Sequence, residues 1–167
     1  MIKSVALLLL SVAVFVAAAL WSAARLPLEG VAVHVDSHGA VNGYASRAQV
    51  IALYVTLGGV VAGLAVAVLV AARWLPVRLM NVPHKDHWSQ EQRLPLLRRM
   101  LVRDVAVLFG LALLGCSCLP VEITRLTLDP AGHNQVWLPL VGGALMLTLF
   151  AYIAWMVIAR YRPGADR

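Results

Sequence analysis

Polar and apolar positions along this chain are segregated rather than mixed. Four long uncharged runs, residues 4–24, 48–72, 105–121 and 130–159, are separated by short polar stretches. About 20 apolar residues in a helix cross the hydrocarbon core of a bilayer. Inside that core every backbone N–H and C=O has to be paired within the chain, so runs of this length form helices. The alternating ten-residue segments of a membrane β-barrel are missing. Spans are predicted at about residues 4–24, 48–72, 101–121 and 136–159. The expected fold is an all-α membrane protein: a four-transmembrane-helix bundle, a single polytopic domain over residues 1–167, with a small extracytoplasmic β-hairpin.

The hairpin is predicted where the period changes. Val31, Val33 and Val35 alternate with Ala32, His34 and Asp36, the two-residue period of a strand. Gly39 and Asn42-Gly43 supply turns. A lone hairpin is marginal in water, so the valine face has to rest on helices or headgroups. On the other side, Ser89 with Gln92 has the spacing of a capping box for a short turn, and Pro95 suits the first turn of the third helix. Leu96, Leu97, Met100 and Leu101 would then enter the lipid boundary while Arg98, Arg99 and Arg103 snorkel to headgroups. Pro120 and Glu122 are expected to end that helix, with Glu122 and Arg125 close enough for a surface pair of little energy.

Composition agrees with the pattern. The chain is 61% hydrophobic and 13% charged, against about 25% charged in soluble domains. Placement of the charges matters more than the net +6. Residues 73–103 hold Arg73, Arg78, Lys85, Arg93, Arg98, Arg99 and Arg103, and Arg160, Arg162 and Arg167 follow the last run. The stretches after the first and third runs are poor in Lys and Arg. Short basic loops stay cytoplasmic, which predicts both termini inside a bacterial cytoplasmic membrane and the 26–47 loop outside. The basic residues then lie beside anionic lipid; no domain or motif suits nucleic acid. Lys3, the first run and Ser22-Ala23-Ala24 also resemble a secretory signal, but the run is span-length and an uncleaved helix is expected.

Small and aromatic residues suggest packing. Gly59 and Gly63 would let two helices approach closely, either inside the bundle, the preferred reading, or in an oligomer. Trp21, Trp74, Trp137, Trp155 and Tyr161 fall near span ends as interfacial anchors. Cys116 and Cys118 lie about 200° apart around a helix, so two separate buried thiols are expected rather than a disulfide. A Cu(I) relay would need more sulfur than Met146 supplies.

Candidate chemistry is confined to the loops. His34, Asp36 and His38 would share one side of a strand, where imidazole and carboxylate can hold Zn²⁺ or another divalent metal. Closed zinc sites take four ligands, so Glu29 or His133 would have to complete the set. The preferred reading is a polar hairpin face turned to water, with metal binding as the alternative. His84, Asp86 and His87 form a second cluster, expected on the opposite side of the membrane. No nucleophile–base pair, phosphate loop or metalloprotease signature is present, and a non-enzymatic protein is expected. Asp104 is read as a carboxylate favoured by its place at a helix start.

The two loops carry a resemblance. Leu26-Pro27, Val31-Ala32-Val33-His34, Gly39, Asn42-Gly43-Tyr44 and Ser46-Arg47 look like the outer-loop signature of a bacterial membrane-domain family of unassigned function. Asn81-Val82-Pro83-His84-Lys85-Asp86-His87-Trp88 resembles that family's second signature, with His87 where an aromatic residue is expected. The same domain occurs at the N-terminus of SdpI-like proteins, which confer immunity to a secreted killing peptide and take part in its signalling. SdpI-like proteins are longer and have more spans; the resemblance covers residues 20–95. It implies an accessory or immunity-like role, in which the outer loop recognises a peptide, lipid or membrane-protein partner. His34, Gly39, Gly43, Asn81, Pro83 and Trp88 are the motif residues, whether for partner binding or for backbone shape. The competing functions are metal or small-solute handling through His34, Asp36 and His38, and a structural subunit of a membrane complex.

Overall fold

The structure is a computed structural model that describes residues 2–36, 38, 40–130 and 137–163. Helix α1 (Ile2–Arg25) leads into strands β1 (Val31–Val35) and β2 (Val41–Ala45), then helix α2 (Arg47–Trp74). A 3₁₀ turn (Val77–Leu79) and the short α3 (Lys85–Trp88) precede α4 (Leu94–Cys116) and α5 (Cys118–Leu128). Helix α6 (Trp137–Trp155) ends in a π-helical turn (Met156–Arg160). Among the described residues four helices are long and apolar enough to cross a membrane: Lys3–Arg25, Arg47–Trp74, Leu94–Leu128 and Leu140–Arg160.

Helix α4 is the centre, with α1 and α2 packed against it. Leu8, Phe15, Val50, Tyr54, Ala65, Ala106 and Leu113 form the shared core. The contact between α1 and α2 turns on Gly58, where any Cβ would overlap the Phe15 ring. Gly59 and Gly63 do not pack inside the bundle as the sequence suggests: a Cβ on either meets nothing within 4 Å. Successive helical residues are about 100° apart, so with Gly58 against Phe15, Gly59 turns to open space beside that contact. Beyond Phe15 the two helices diverge around an apolar groove of about 370 Å³ lined by Ala19, Ile51, Tyr54 and Gly59.

The third span is longer than predicted and broken. Pro120 has no N–H to bond the Cys116 carbonyl, so α4 stops at Cys116 and a new helix starts at Cys118. Proline is tolerated in the first turn of that new helix, which runs on to Leu128 rather than ending near Glu122. Ser117 at the break donates its hydroxyl to the Leu113 carbonyl at 2.9 Å. Cys116 and Cys118 flank the break as free, half-buried thiols. Glu122 is buried and Arg125 exposed, so the carboxylate does not lie on the surface of α5 as expected.

Polar groups tie this end of the bundle together. Thr124 of α5 donates to the Ser22 hydroxyl of α1 at 2.7 Å, and Ser22 shares a 3.0 Å hydrogen bond with the Tyr54 hydroxyl of α2. Helix α6 lies more loosely. It meets α4 where Leu145 seats on Gly115 and where Tyr152 and Arg160 reach Asp104. Trp21, Trp74 and Trp155 are exposed at 37%, 79% and 44%, as interfacial anchors should be.

The two glycine environments predict different tolerances. Gly58→Leu should displace Phe15 and cost about 1–3 kcal/mol by overpacking, whereas Gly59→Leu should leave the monomer's stability unchanged. Thermal unfolding of the two variants in detergent checks this; equal shifts would show that Phe15 does not set the α1–α2 contact.

Candidate functional site

The hairpin is a mounted element. Val31 pairs with Ala45, Ala32 with Tyr44, His34 with Gly43 and Val35 with Val41, with register irregularities after Ala32 and after His34. The predicted valine face is not continuous. Val31 and Ala32 are both buried, at 0% and 3% exposure, and Val33 is exposed. The reason is that the root of β1 packs against α5 and Val31 joins the buried core of the bundle, whereas Val33 is left exposed. The Ala32 N–H donates to Thr127 Oγ1 of α5 at 3.1 Å. On the other strand's side, the Arg47 N–H donates to the Leu28 carbonyl at 2.9 Å and its guanidinium reaches the Leu26 carbonyl at 3.3 Å. Ser46 and Gln49 cap α2 reciprocally, satisfying two donors at the helix start.

His34, Asp36 and His38 do not gather as the alternative metal reading requires. β1 ends at Val35, so Asp36 lies past the strand. Its carboxylate accepts from the His38 and Ala40 N–H groups at 2.8 and 2.9 Å, which closes the turn. His34 instead crosses the sheet, with Nδ1 2.5 Å from Asn42 Oδ1. Among the described residues no three His, Cys, Asp or Glu side chains gather as a metal ion requires. Gly39 and His133 lie outside the described residues. Asn42 and Gly43 are in β2, not in a turn. Gly43 is small for a cross-strand reason: a Cβ there would lie 2.8 Å from His34 Cβ.

What the mount leaves outside is a compact mixed surface. Leu28 and Tyr44 are 67% and 65% exposed, and Val33 is 37% exposed. The hairpin is a two-stranded sheet, so β2 has a neighbour on one side and presents its other edge outward.

The second signature lies at the far end of α2. That helix has 28 residues, so the two signatures are about 42 Å apart along it. Asn81 is exposed and Pro83 half-buried. His84 takes a left-handed conformation (φ 53°) that turns the chain into α3. Ser89 closes α3 by donating to the Asp86 carbonyl at 3.0 Å, and a hydrogen-bonded turn follows it, with the Arg93 N–H on the Gln90 carbonyl at 2.9 Å. Pro95 lies in the first turn of α4, as predicted. His87 lies against Arg93 and packs edge-on to Trp88. Trp88 is fully buried with Met80, Leu97 and Tyr161, so Leu97 packs in protein rather than in the lipid boundary. The indole N–H of Trp88 donates to the Tyr161 carbonyl at 3.0 Å. These signature residues hold a corner of the fold.

That corner joins a cluster that the sequence did not reveal. Asp104 is fully buried, eleven positions into α4. It accepts from the Tyr152 hydroxyl at 2.9 Å, from Arg160 Nε at 2.9 and 2.8 Å, and from the Tyr161 hydroxyl at 2.9 Å. A helix-start preference therefore does not account for Asp104, and Tyr161 is a buried partner rather than an interfacial anchor. Tyr152 and Arg160 are separated by eight positions, which in an α-helix places them about 80° apart. The π-helical turn takes up part of that offset and brings both to one carboxylate. Burial, with the Asp104 charge beside it, pushes the Tyr161 phenol above its ordinary range, so it remains a donor. The sequence signal was slight: Tyr152 inside the last apolar run, and Arg160 and Tyr161 just past its end. With its charge matched by Arg160 and its lone pairs occupied, Asp104 can hold helices together but has no free valence for catalysis.

Removing one partner of a buried ion pair typically costs about 3–5 kcal/mol. Asp104→Asn should therefore lower the unfolding temperature strongly and expose α6 to protease first. The Asp104→Asn/Arg160→Gln double variant should recover part of the loss, since no charge is left uncompensated. Strictly additive losses in the double-mutant cycle would rule out the tie.

In comparisons with known proteins, the chain matches no family model, no curated protein and no solved structure.

Proposed function

We propose that this is a non-enzymatic multi-pass protein of a bacterial cytoplasmic membrane with an immunity- or signalling-like accessory role, whose hairpin recognises an extended peptide segment on the outer side. The observation that carries the reading is the contrast within one loop. Its root is fixed to the bundle, with Val31 buried, Ala32 bonded to α5 and Arg47 at the start of α2 bonded back to Leu26, while Val33 and Tyr44 are exposed beside the β2 edge. A sheet edge binds an extended chain by main-chain hydrogen bonds, and neighbouring apolar side chains give selectivity. Leu28, Val33 and Tyr44 supply that apolar contact. The resemblance of both loops to the domain of SdpI-like proteins supports the same role. The crowding of Lys and Arg into residues 73–103 supports cytoplasmic termini and an outer hairpin.

Two experiments test this. Deleting the gene should sensitise cells to a secreted peptide or to envelope stress, and Tyr44→Ser/Val33→Ser should reproduce the defect without lowering membrane abundance. If deletion changes neither sensitivity and affinity capture recovers no partner, the role is lost. For topology, His34→Cys and His84→Cys, each in a Cys116→Ser/Cys118→Ser background, should label with an impermeant reagent from opposite sides. Labelling from one side would overturn the placement of the hairpin.

A further inference from the structure

At the basic end of the bundle, α1, α2 and the start of α4 enclose a cavity of about 680 Å³ that nothing in the hairpin reading uses. Its walls divide by chemistry. Val66, Leu69 and Leu94 give it an apolar side. Arg73, Arg98 and Arg99 line the other, opposed by a single carboxylate, Glu91. Within this lining, Arg98 Nε is buried and makes no hydrogen bond among the described residues. An anion in the cavity would meet the Arg73, Arg98 and Arg99 side chains that line it, and charge-assisted bonds to guanidinium are among the stronger ones. The cavity has the size of a small-ligand site.

We propose that this cavity holds the headgroup of one anionic phospholipid, with its phosphate on Arg98 and Arg99 and its acyl chains along Val66 and Leu69. The position favours a lipid over a free anion. Arg73 lies in the last turn of the span Arg47–Trp74 and Arg99 in the second turn of the span Leu94–Leu128, where span ends meet lipid headgroups, and Val66 and Leu69 continue the wall toward the middle of α2. Basic pockets between transmembrane helices at the cytoplasmic surface bind anionic headgroups by this division of labour.

The test uses the full chain in a neutral detergent, titrated with phosphatidylglycerol, phosphatidylcholine or inorganic phosphate, with bound lipid counted by native mass spectrometry. One phosphatidylglycerol should remain per chain under conditions that strip phosphatidylcholine, and inorganic phosphate should not displace it. Arg98→Gln/Arg99→Gln should weaken retention about 30-fold, at about 1 kcal/mol per basic residue. Arg78→Gln, on an exposed arginine outside the cavity, should leave it unchanged. Val66→Trp, which fills the apolar side without altering charge, should also weaken it and decides the matter if the double variant fails to fold. Equal retention of the two lipids, displacement by phosphate, or an equal loss with Arg78→Gln would each overturn the site.

Discussion

The carboxylate of Asp104 is the fixed point of the basic end. In lipid, apolar side chains gain little by leaving their surroundings for one another, so helices are held by close packing and by polar contacts. Helix α6 illustrates the constraint, since much of its surface, including Leu147, Phe150 and Ile158, is exposed. Its attachment rests on Leu145 over Gly115 and on the four hydrogen bonds gathered by Asp104. Through Tyr161, the same cluster extends to Trp88 and the loop that precedes α4. The far end of the bundle solves the same problem with neutral groups, Ser22, Tyr54 and Thr124, which need no charge compensation.

This arrangement gives the two signatures different work. The second is largely consumed by the fold: Trp88 is buried, His87 is engaged by Arg93, and His84 sets a left-handed turn. The first is split, with Leu26, Val31, Ala32, Ser46 and Arg47 forming a mount and Val33 and Tyr44 left at the surface. Residues of the first kind answer to backbone and packing demands. Those of the second kind have no such demand to explain them, and so they are where recognition is sought.

Much of the architecture was readable along one dimension. Span-length apolar runs, the two-residue period at Val31–Val35 and Pro95 at a helix start are local signals, and each element formed where those signals lie. The failures were all non-local or competitive. Asp104 meets its partners 48 to 57 positions away, a pairing that no local period records. Asp36 looked like a ligand because carboxylates serve both metals and turns, and nearby N–H groups claimed it first. Gly59 and Gly63 matched a packing motif, yet the neighbouring Gly58 took the contact because Phe15 stood opposite it. Pro120 marked a break correctly but not its sequel, since the same residue that ends one helix is welcome at the start of the next.

The break at Ser117 has a mechanical meaning. The hairpin rides on α5, through Ala32 and Thr127, and α5 joins α4 across that break. The 11 residues of α5 make a lever about 16 Å long, so a tilt of about 10° at its base would carry the hairpin root roughly 3 Å. Asp104 lies on the other side of the pivot. A load on the hairpin would therefore be absorbed as rotation of α5 against the Ser22–Tyr54–Thr124 contacts, leaving the clamp on α6 undisturbed.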